Sequence, residues 1–383
     1  MVGKASGPGR VRIPLGLLGA VALVVAVEAS IAHEKMGSLG GSQWSCEDTL
    51  AGAGSAAQGS RVLCFGDSLI KQGLAPTVVE ARSGLPAYNL ALAGGQAPAS
   101  YFLLRKALAS GAKPDAVVVE YFPRLLSLEP EFNIENWPFL ANPADAYSLA
   151  RLSGNPSLGT DLILRDLLPS VRCRASIRAN ILAAFNGSFP AYAREIRSAR
   201  RNWEVNRGAE IVASQPDRVD DLDAWMKGYF PVFRCTRTNR AYIKKLLELA
   251  ASREIPVFWV LPPYKPTLQA RVEQNGFDAA HEAFVRSMMS RYPGLHVVDG
   301  RHAGYDPRAF ADPHHLGADG ATVFSESLAE VLRAYKADPS KTPRWQPLAD
   351  YRAVAGLRPP ETMDESRRKV FEIAVQDPST RKR

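Results

Sequence analysis

The alternation of short apolar runs with helical patterns constrains the fold of this chain more than any other feature. Apolar runs typical of strands occur at 61–65, 87–92, 115–121, 256–261 and 295–298. The run at 115–121 is β-branched and uninterrupted at its centre, which is typical of a strand that is buried on both faces. Repeated strand–helix units predict an α/β fold, with a doubly wound, mainly parallel sheet of the flavodoxin-like three-layer kind.

The alternation is interrupted in the middle of the chain. Residues 124–237 carry helical patterns without strong strand signals, so we interpret them as a largely helical insertion. The α/β domain is then expected to comprise residues 61–123 and 238–335. Residues 33–60 are rich in Gly, Ser and Ala, which predicts a flexible tether. Residues 336–383 are rich in charge and proline, which predicts a charged, peripheral C-terminal tail.

The N-terminus bears on localisation. A basic flank at residues 1–12 precedes an apolar segment at 13–32, which is long enough to span a bilayer. This pattern predicts a transmembrane anchor or a cleaved signal peptide. In both cases the catalytic domain is expected outside the cytoplasm, on the periplasmic or extracellular side, and it would be secreted if the segment is cleaved.

The four cysteines of the 383-residue chain form no CxxC pair, and no His/Cys cluster has zinc-like spacing. Cys173 and Cys235 are candidates for a disulfide if the protein is exported, because disulfides persist in oxidising compartments. Spacing alone does not establish that pairing, and the sequence leaves the oligomeric state open.

A candidate nucleophile follows the first strand. Gly66-Asp67-Ser68 stands where a buried strand ends and a helical segment begins. Ligands of open α/β sheets bind at the carboxyl ends of the strands, so Ser68 is expected at the catalytic edge. The alternative is an ordinary turn in which Asp67 or Ser68 caps a helix.

A candidate base lies near the other end of the domain. Asp312 precedes His315 by three residues in a loop before a helix. Its carboxylate can fold back onto the imidazole N–H, which leaves the other ring nitrogen free to accept the Ser68 proton. The alternatives are helix capping by Asp319 and metal ligation by Asp312, His314 and His315. Adjacent histidines rarely bind one ion together, so neither a metal nor a cofactor is expected.

Taken together, these blocks resemble the SGNH (GDSL-type) hydrolase superfamily. The matching segments are Gly66-Asp67-Ser68, residues 89–95 and Asp312-x-x-His315, in the order typical of that family. The resemblance implies that Ser68 is the nucleophile and that its backbone N–H contributes to an oxyanion hole. It also implies a second N–H donor at Gly94 or Gly95, with Gly94 preferred.

One family block is absent. The family has Gly-x-Asn-Asp after the third strand, where this chain has Val119-Glu120-Tyr121-Phe122, and Phe122 stands near the position of the missing Asn. Losing an oxyanion donor typically costs about 2.7–4 kcal/mol of transition-state stabilisation. Arg124, Asn133 and Asn136 are possible substitutes. The possible substrate contacts are Asp67, Asn89, Gly95 and Glu120.

The insertion has a basic character. Residues 165–207 contain nine arginines against three acidic residues. Such a segment is expected to attract an acidic glycan or an anionic lipid surface, or to form a solvated helical face. Nucleic acid is not expected as a partner, because no recognised nucleic-acid module is present.

These features favour an esterase or O-acyl hydrolase that acts on an acylated envelope glycan or lipid, or on a small acyl ester. Two alternatives stay open: an exported O-acyltransferase of polysaccharide with the same triad, and a non-catalytic SGNH-fold binding module. The sequence discloses neither the acyl group nor the acceptor.

Overall fold

A computed structural model describes residues 15–33, 43–216, 218–230, 232–351 and 359–376. Its centre is one sheet of six strands in the spatial order β2-β1-β3-β4-β5-β6, and every neighbouring pair is parallel. The strands are β1 (Val62–Phe65), β2 (Ala87–Asn89), β3 (Ala116–Val119), β4 (Val257–Leu261), β5 (Leu295–Asp299) and β6 (Trp345–Pro347). The α/β class and the parallel sheet are thus confirmed.

Helices surround the sheet and make up the insertion. In chain order they are α1 (Leu15–His33), α2 (Gln43–Gly54), α3 (Ser68–Gly73), α4 (Pro76–Ser83), α5 (Ala97–Ala109), α6 (Pro123–Leu126), α7 (Trp137–Leu140), α8 (Pro143–Ser153), α9 (Pro156–Leu167), α10 (Pro169–Arg172), α11 (Arg174–Phe185), α12 (Phe189–Val205), α13 (Leu222–Tyr229), α14 (Arg237–Ala251), α15 (Pro266–Gln274), α16 (Phe277–Met289), α17 (Ala318–Ala337) and α18 (Met363–Gln376).

The two faces of the sheet support separate cores, because successive side chains of a strand point to opposite faces. On β1, Leu63 and Phe65 join the core beneath α5 and α14, whereas Val62 and Cys64 join the core beneath α4 and α17. All four side chains of this strand are fully buried. This double burial explains why the strands have continuous apolar runs rather than an alternating pattern.

The segment expected as a flexible tether is largely structured. Helix α2 and a 3₁₀ helix at Ala56–Gly59 occupy much of residues 33–60, and α2 packs against α5. Cys46 and Ala53 of α2 belong to the same buried core as α5, and Trp44 is also buried. The abundance of Gly, Ser and Ala, which predicted flexibility, instead permits close helix packing. Residues 34–42 lie outside the described part.

The C-terminal tail also contributes to the fold. Strand β6 extends the sheet by pairing with β5, and α18 packs against α12 of the insertion. The expectation of a peripheral segment was therefore wrong for these two elements. Residues 352–358 and 377–383 lie outside the described ranges.

The N-terminal segment 13–32 largely coincides with α1, and the basic flank 1–12 falls outside the described residues. Over the ranges that the structure covers, no helix has both the length and the apolar character needed to cross a membrane. The transmembrane anchor is therefore not confirmed.

All four cysteines are free and buried, so the proposed Cys173–Cys235 disulfide is absent. Cys235 packs into the core beneath α5 and α14, whereas Cys173 lies at the junction of α10 and α11. The two residues belong to different parts of the structure, which spacing along the chain did not reveal.

Candidate active site

Ser68 is the first residue of α3, at the carboxyl end of β1. The preceding turn requires glycine: Gly66 has a φ of 149°, and a Cβ there would lie 2.7 Å from the Glu120 carbonyl oxygen. Asp67 caps the helix, since its Oδ1 accepts a hydrogen bond from the Leu69 N–H at 2.9 Å. Helix capping by Asp67 and a partly exposed serine therefore occur together in one turn.

Asp67 also joins the ends of two strands. Its Oδ2 accepts a hydrogen bond from the Phe122 N–H at 2.7 Å, which connects the turn after β1 with the turn after β3. Burial raises the pKa of Asp67 to about 6, although the hydrogen bonds from Leu69 and Phe122 oppose the shift. The pKa of Glu120 is raised well above its usual value by burial and by the Asp67 charge. The two carboxyls thus form a pair that retains a proton.

His315 connects Ser68 with Asp312. The distance from His315 Nε2 to Ser68 Oγ is 2.8 Å, and that from His315 Nδ1 to Asp312 Oδ2 is 2.7 Å. The structure therefore brings together the three residues that the sequence singled out, in the relative positions of a Ser-His-Asp triad.

The Asp312 loop is held by its own backbone. Asp312 Oδ1 accepts hydrogen bonds from the N–H groups of His314 at 3.0 Å and His315 at 2.9 Å. Burial alone would raise the pKa of Asp312, but the neighbouring rings of His314 and His315 outweigh it and hold that pKa well below its usual value. Asp312 is therefore an anion, the form that can orient and stabilise an imidazolium.

Two backbone N–H groups near the serine are available. Neither Ser68 N–H nor Gly94 N–H has an acceptor among the described residues. By contrast, the Gly95 N–H donates to the Leu92 carbonyl at 2.7 Å, and a Cβ on Gly95 would lie 2.6 Å from the Gly66 oxygen. Gly94, with a φ of 68°, is thus the glycine of this turn with a free donor.

Of the proposed substitutes for the missing Asn, Asn133 and Asn136 have side-chain amides that already donate hydrogen bonds within the protein. The Asn133 side-chain amide donates to the Gly94 carbonyl at 2.8 Å and to Gln96 Oε1 at 3.2 Å, and Asn136 donates to Asn133. The Arg124 guanidinium lies over the Tyr229 ring. Asn133 consequently fixes the Gly94 turn rather than pointing an N–H at the Ser68 side.

Phe122 lies in the segment after β3 where the Gly-x-Asn-Asp block is absent, and its ring makes a stacking contact. It stacks on the His314 ring, with centroids 5.1 Å apart and an angle of 24° between the planes. An apolar stacking contact is therefore found at the position where the resemblance to SGNH hydrolases would place an amide donor.

The predicted substrate contacts all face the protein interior. Asp67, Asn89 and Glu120 are buried. Asn89 donates to the carbonyls of Ile70 at 2.9 Å and Leu74 at 3.1 Å, which fixes α3 against the β2 edge. These residues position the turn that carries Ser68, and a direct contact with substrate stays a prediction.

Sequence reasoning missed an aromatic wall beside the triad, formed by Phe122, Trp225, Tyr229 and His314. Trp225 stacks on Tyr229 with a centroid distance of 4.7 Å and meets the His314 ring edge at 4.6 Å. Burial lowers the pKa of His314 to about 4, so this ring is neutral. The i, i+4 spacing of Trp225 and Tyr229 indicated a shared helical face, but nothing indicated where that face packs.

Helix α13, which carries Trp225 and Tyr229 of this wall, is held against the Asp312 loop by the C-terminal part of the insertion. The Gln215 N–H donates to the Phe310 carbonyl at 2.9 Å, just before the Asp312 loop. Asp220 forms an ion pair with Lys265 at 3.1 Å, and the Lys265 N–H donates to the Pro313 carbonyl at 2.8 Å. The insertion thus contributes directly to the candidate site.

Asp312, His314 and His315 also satisfy a distance criterion for a metal site, because one potential ligand atom from each lies within 4.8 Å of the others. Both ring nitrogens of His315 are already within hydrogen-bond distance of Asp312 and Ser68. An ion bound through His315 would therefore displace one of the triad contacts.

Comparisons of the sequence with protein-family models and with curated proteins found no match.

Proposed function

We propose that the protein is a serine esterase or O-acyl hydrolase of the SGNH type, with Ser68, His315 and Asp312 as its triad. The observation that carries the proposal is the continuous contact from Ser68 Oγ through the His315 ring to the Asp312 carboxylate, at 2.8 and 2.7 Å. An isolated serine is a weak nucleophile, and this arrangement supplies the base and the group that orients it.

In the proposed reaction, Ser68 Oγ attacks the ester carbonyl carbon while His315 Nε2 takes the hydroxyl proton. The Ser68 and Gly94 N–H groups donate to the resulting oxyanion. His315 then returns the proton to the departing alkoxide, which leaves the acyl group on Ser68. Water, deprotonated by the same imidazole, attacks the acyl carbon; the acyl–Oγ bond then breaks, His315 returns the proton to Ser68 Oγ, and the acid is released. Asp312 stays ionised and stabilises the imidazolium in both halves of the reaction.

The proposed oxyanion hole has two backbone N–H donors and no asparagine side chain, and this limits the expected rate of the reaction. Removal of one oxyanion donor typically costs about 2.7–4 kcal/mol, which corresponds to roughly 10²–10³ in rate. We therefore expect slow turnover of unactivated esters relative to activated ones.

The aromatic wall supports an acylated glycan or lipid as the substrate class. Trp225 and Tyr229 are partly exposed and lie beside His314, adjacent to the base. Aromatic faces bind apolar surfaces such as acyl chains and the C–H faces of sugar rings. With the apolar N-terminal segment, this favours an envelope component, and we propose that the domain functions outside the cytoplasm.

Labelling by a fluorophosphonate probe tests the proposal, because such probes react with an activated serine. We expect labelling of the intact chain, none of Ser68→Ala and weak labelling of His315→Ala. Ser290→Ala and His302→Ala, which alter exposed residues, are the matched controls. A well-folded protein that resists labelling would favour a non-catalytic binding module. Loss of labelling on treatment with a chelator would instead indicate a metal at Asp312, His314 and His315.

An acyltransferase would use the same residues, with a sugar hydroxyl in place of water. The aromatic wall beside His315 favours this alternative, because an acceptor bound there would lie next to the base. Analysis of products from an acyl donor and a glycan separates the two reactions: acylated glycan indicates transfer, and free acid indicates hydrolysis.

A further inference from the structure

Helix α11 has an inverted distribution of polar and apolar side chains. Ile181, Leu182 and Phe185 are exposed, Phe185 to 86%, whereas Ser176 and Asn180 are buried. Ser176 donates a hydrogen bond to Gln43, so the helix attaches to the protein by its polar side. A helix in water normally buries its apolar stripe, and the reverse arrangement indicates an apolar surrounding on the outer side.

Neighbouring helices extend this apolar surface. On α9, Ile163, Leu164 and Leu167 are exposed, while Leu158 and Leu162 on the same helix are buried. Helices α1, α9 and α11 all contact the short helix α10. The six apolar residues named on α9 and α11 are called the apolar patch below.

Helix α1 adds further apolar surface at the same place. Glu28 accepts a hydrogen bond from the Ser170 N–H at 2.8 Å, which joins α1 to α10. Its exposed apolar side chains are Leu18, Val21, Leu23, Val24, Val25 and Val27. The contact brings the C-terminal part of α1, which carries Val24, Val25 and Val27, close to α10 and hence to the apolar patch.

Positive charge accompanies the patch. Arg174 and Arg178 are exposed and precede Leu182 at intervals of four residues, so all three share one face of α11. Neither arginine has a carboxylate within ion-pair distance in the described part of the chain. The exposed carboxylates of α9, Asp161 and Asp166, lie about 100° around that helix from its apolar stripe, given about 100° per residue.

We propose that the apolar patch, with Arg174 and Arg178, docks on an anionic lipid bilayer. The apolar side chains would enter the headgroup–acyl boundary, and the two guanidinium groups would pair with lipid phosphates. Exposed apolar residues combined with unpaired arginines on one helix face are typical of interfacial helices. This inference does not depend on the proposed hydrolase activity.

An environment-sensitive fluorophore on the full-length Phe185→Cys variant tests the proposal. The native cysteines are buried, so the introduced thiol is the accessible target. We expect a blue shift with vesicles of phosphatidylcholine and phosphatidylglycerol, and little shift with phosphatidylcholine alone. A fluorophore at Val232→Cys, an apolar residue of similar exposure outside α9–α11, is the control and should not shift.

A charge-reversed pair tests the arginines. In the Phe185→Cys background, Arg174→Glu with Arg178→Glu should weaken the response to anionic vesicles at least tenfold. Arg253→Glu with Arg291→Glu changes the net charge equally at exposed sites elsewhere and should leave it intact. Equal responses of the two variants, an equal shift with zwitterionic vesicles, or no shift with any vesicle would overturn the proposal; the last result would indicate a protein partner for the patch.

Discussion

At the scale of single residues, the turn that presents Ser68 depends on a buried acid pair. Asp67 uses both carboxylate oxygens to accept backbone N–H groups, which favours its ionised form and leaves the proton with Glu120. Glu120 Oε2 has no donor among the described residues, as expected if its partner is another carboxyl group. The turn that carries Ser68 is therefore sensitive to the protonation of Asp67 and Glu120, which do not take part in the proposed reaction.

This pair predicts a pH-dependent stability. Both carboxyl pKa values are raised in the folded protein, Asp67 from its ordinary value of 3.8 to about 6, chiefly by burial. The folded state thus binds protons more tightly than the unfolded state. The Asp67–Glu120 pair therefore makes its full contribution to the free energy of unfolding below about pH 4. This contribution is lost as the pH rises through about 6.

Glu120→Gln should reduce the decrease in the free energy of unfolding with rising pH, because an amide cannot ionise and can donate a hydrogen bond to Asp67. Free energies of unfolding from urea titrations at pH 4.5 and pH 8 should differ less in the variant than in the original protein, by about 1–3 kcal/mol. The exposed Glu248→Gln is the control and should follow the original protein. Parallel curves for all three proteins would show that the pair does not share a proton.

At the scale of elements, the candidate site combines parts that differ in how well sequence predicts them. The strands followed from apolar runs, of which those of β1, β3 and β4 are uninterrupted, and Gly66 and Gly94 indicated the turns after β1 and β2. Such runs indicate double burial directly, and strand order in a parallel sheet then brings their carboxyl ends to one edge. Ser68, Gly94 and the Asp312 loop could therefore be predicted to meet.

Elements held by tertiary contacts alone could not be predicted in the same way. Helix α2 has few apolar residues, and its burial depends on the fit of small side chains such as Cys46 and Ala53 against neighbouring elements that include α5. Strand β6 has three residues, of which Trp345 is only partly buried. Helix α13 reaches the triad through hydrogen bonds such as that from Gln215 to Phe310, and such long-range contacts leave no periodic pattern.

The position of α13 predicts a role for Trp225 in substrate binding. We expect Trp225→Ala to raise KM for an acylated glycan and to lower kcat/KM by about 2–10-fold, the value of one aromatic contact. The effect on a small activated acetate ester should be weaker. Trp345→Ala changes a partly buried tryptophan on the far strand β6 and should alter neither constant. An equal loss on both substrates would point to a disturbed His314 rather than to substrate contact.

At the scale of the whole molecule, segments at both ends of the chain belong to the folded body. Helix α2 covers α5, and Cys46 and Ala53 are part of the core on that face of the sheet. At the other end, β6 completes the sheet and α18 closes on the insertion. The α/β domain defined by sequence pattern is thus smaller than the unit that packs together.

Truncation distinguishes a structured segment from a tether. Removal of residues 1–42 deletes α1, which contacts the short helix α10, and should lower the free energy of unfolding by only about 1 kcal/mol. Removal of residues 1–60 exposes the α5 surface that α2 covers and should lower it by about 3–5 kcal/mol, the range for loss of a buried tryptophan. Chemical denaturation measures both values. If the two truncated proteins were equally stable, residues 43–60 would not stabilise the fold and would act as a linker.

The contact between Ser68 and His315 spans 247 positions of the chain. During synthesis the serine therefore emerges long before the imidazole that is proposed to activate it, and α17 must fold onto α3 and α4 before the two meet. A nascent chain paused at any earlier point carries an ordinary, unreactive hydroxyl. The proposed reactivity of Ser68 would therefore arise late in synthesis, when the segment that carries His315 has joined the fold.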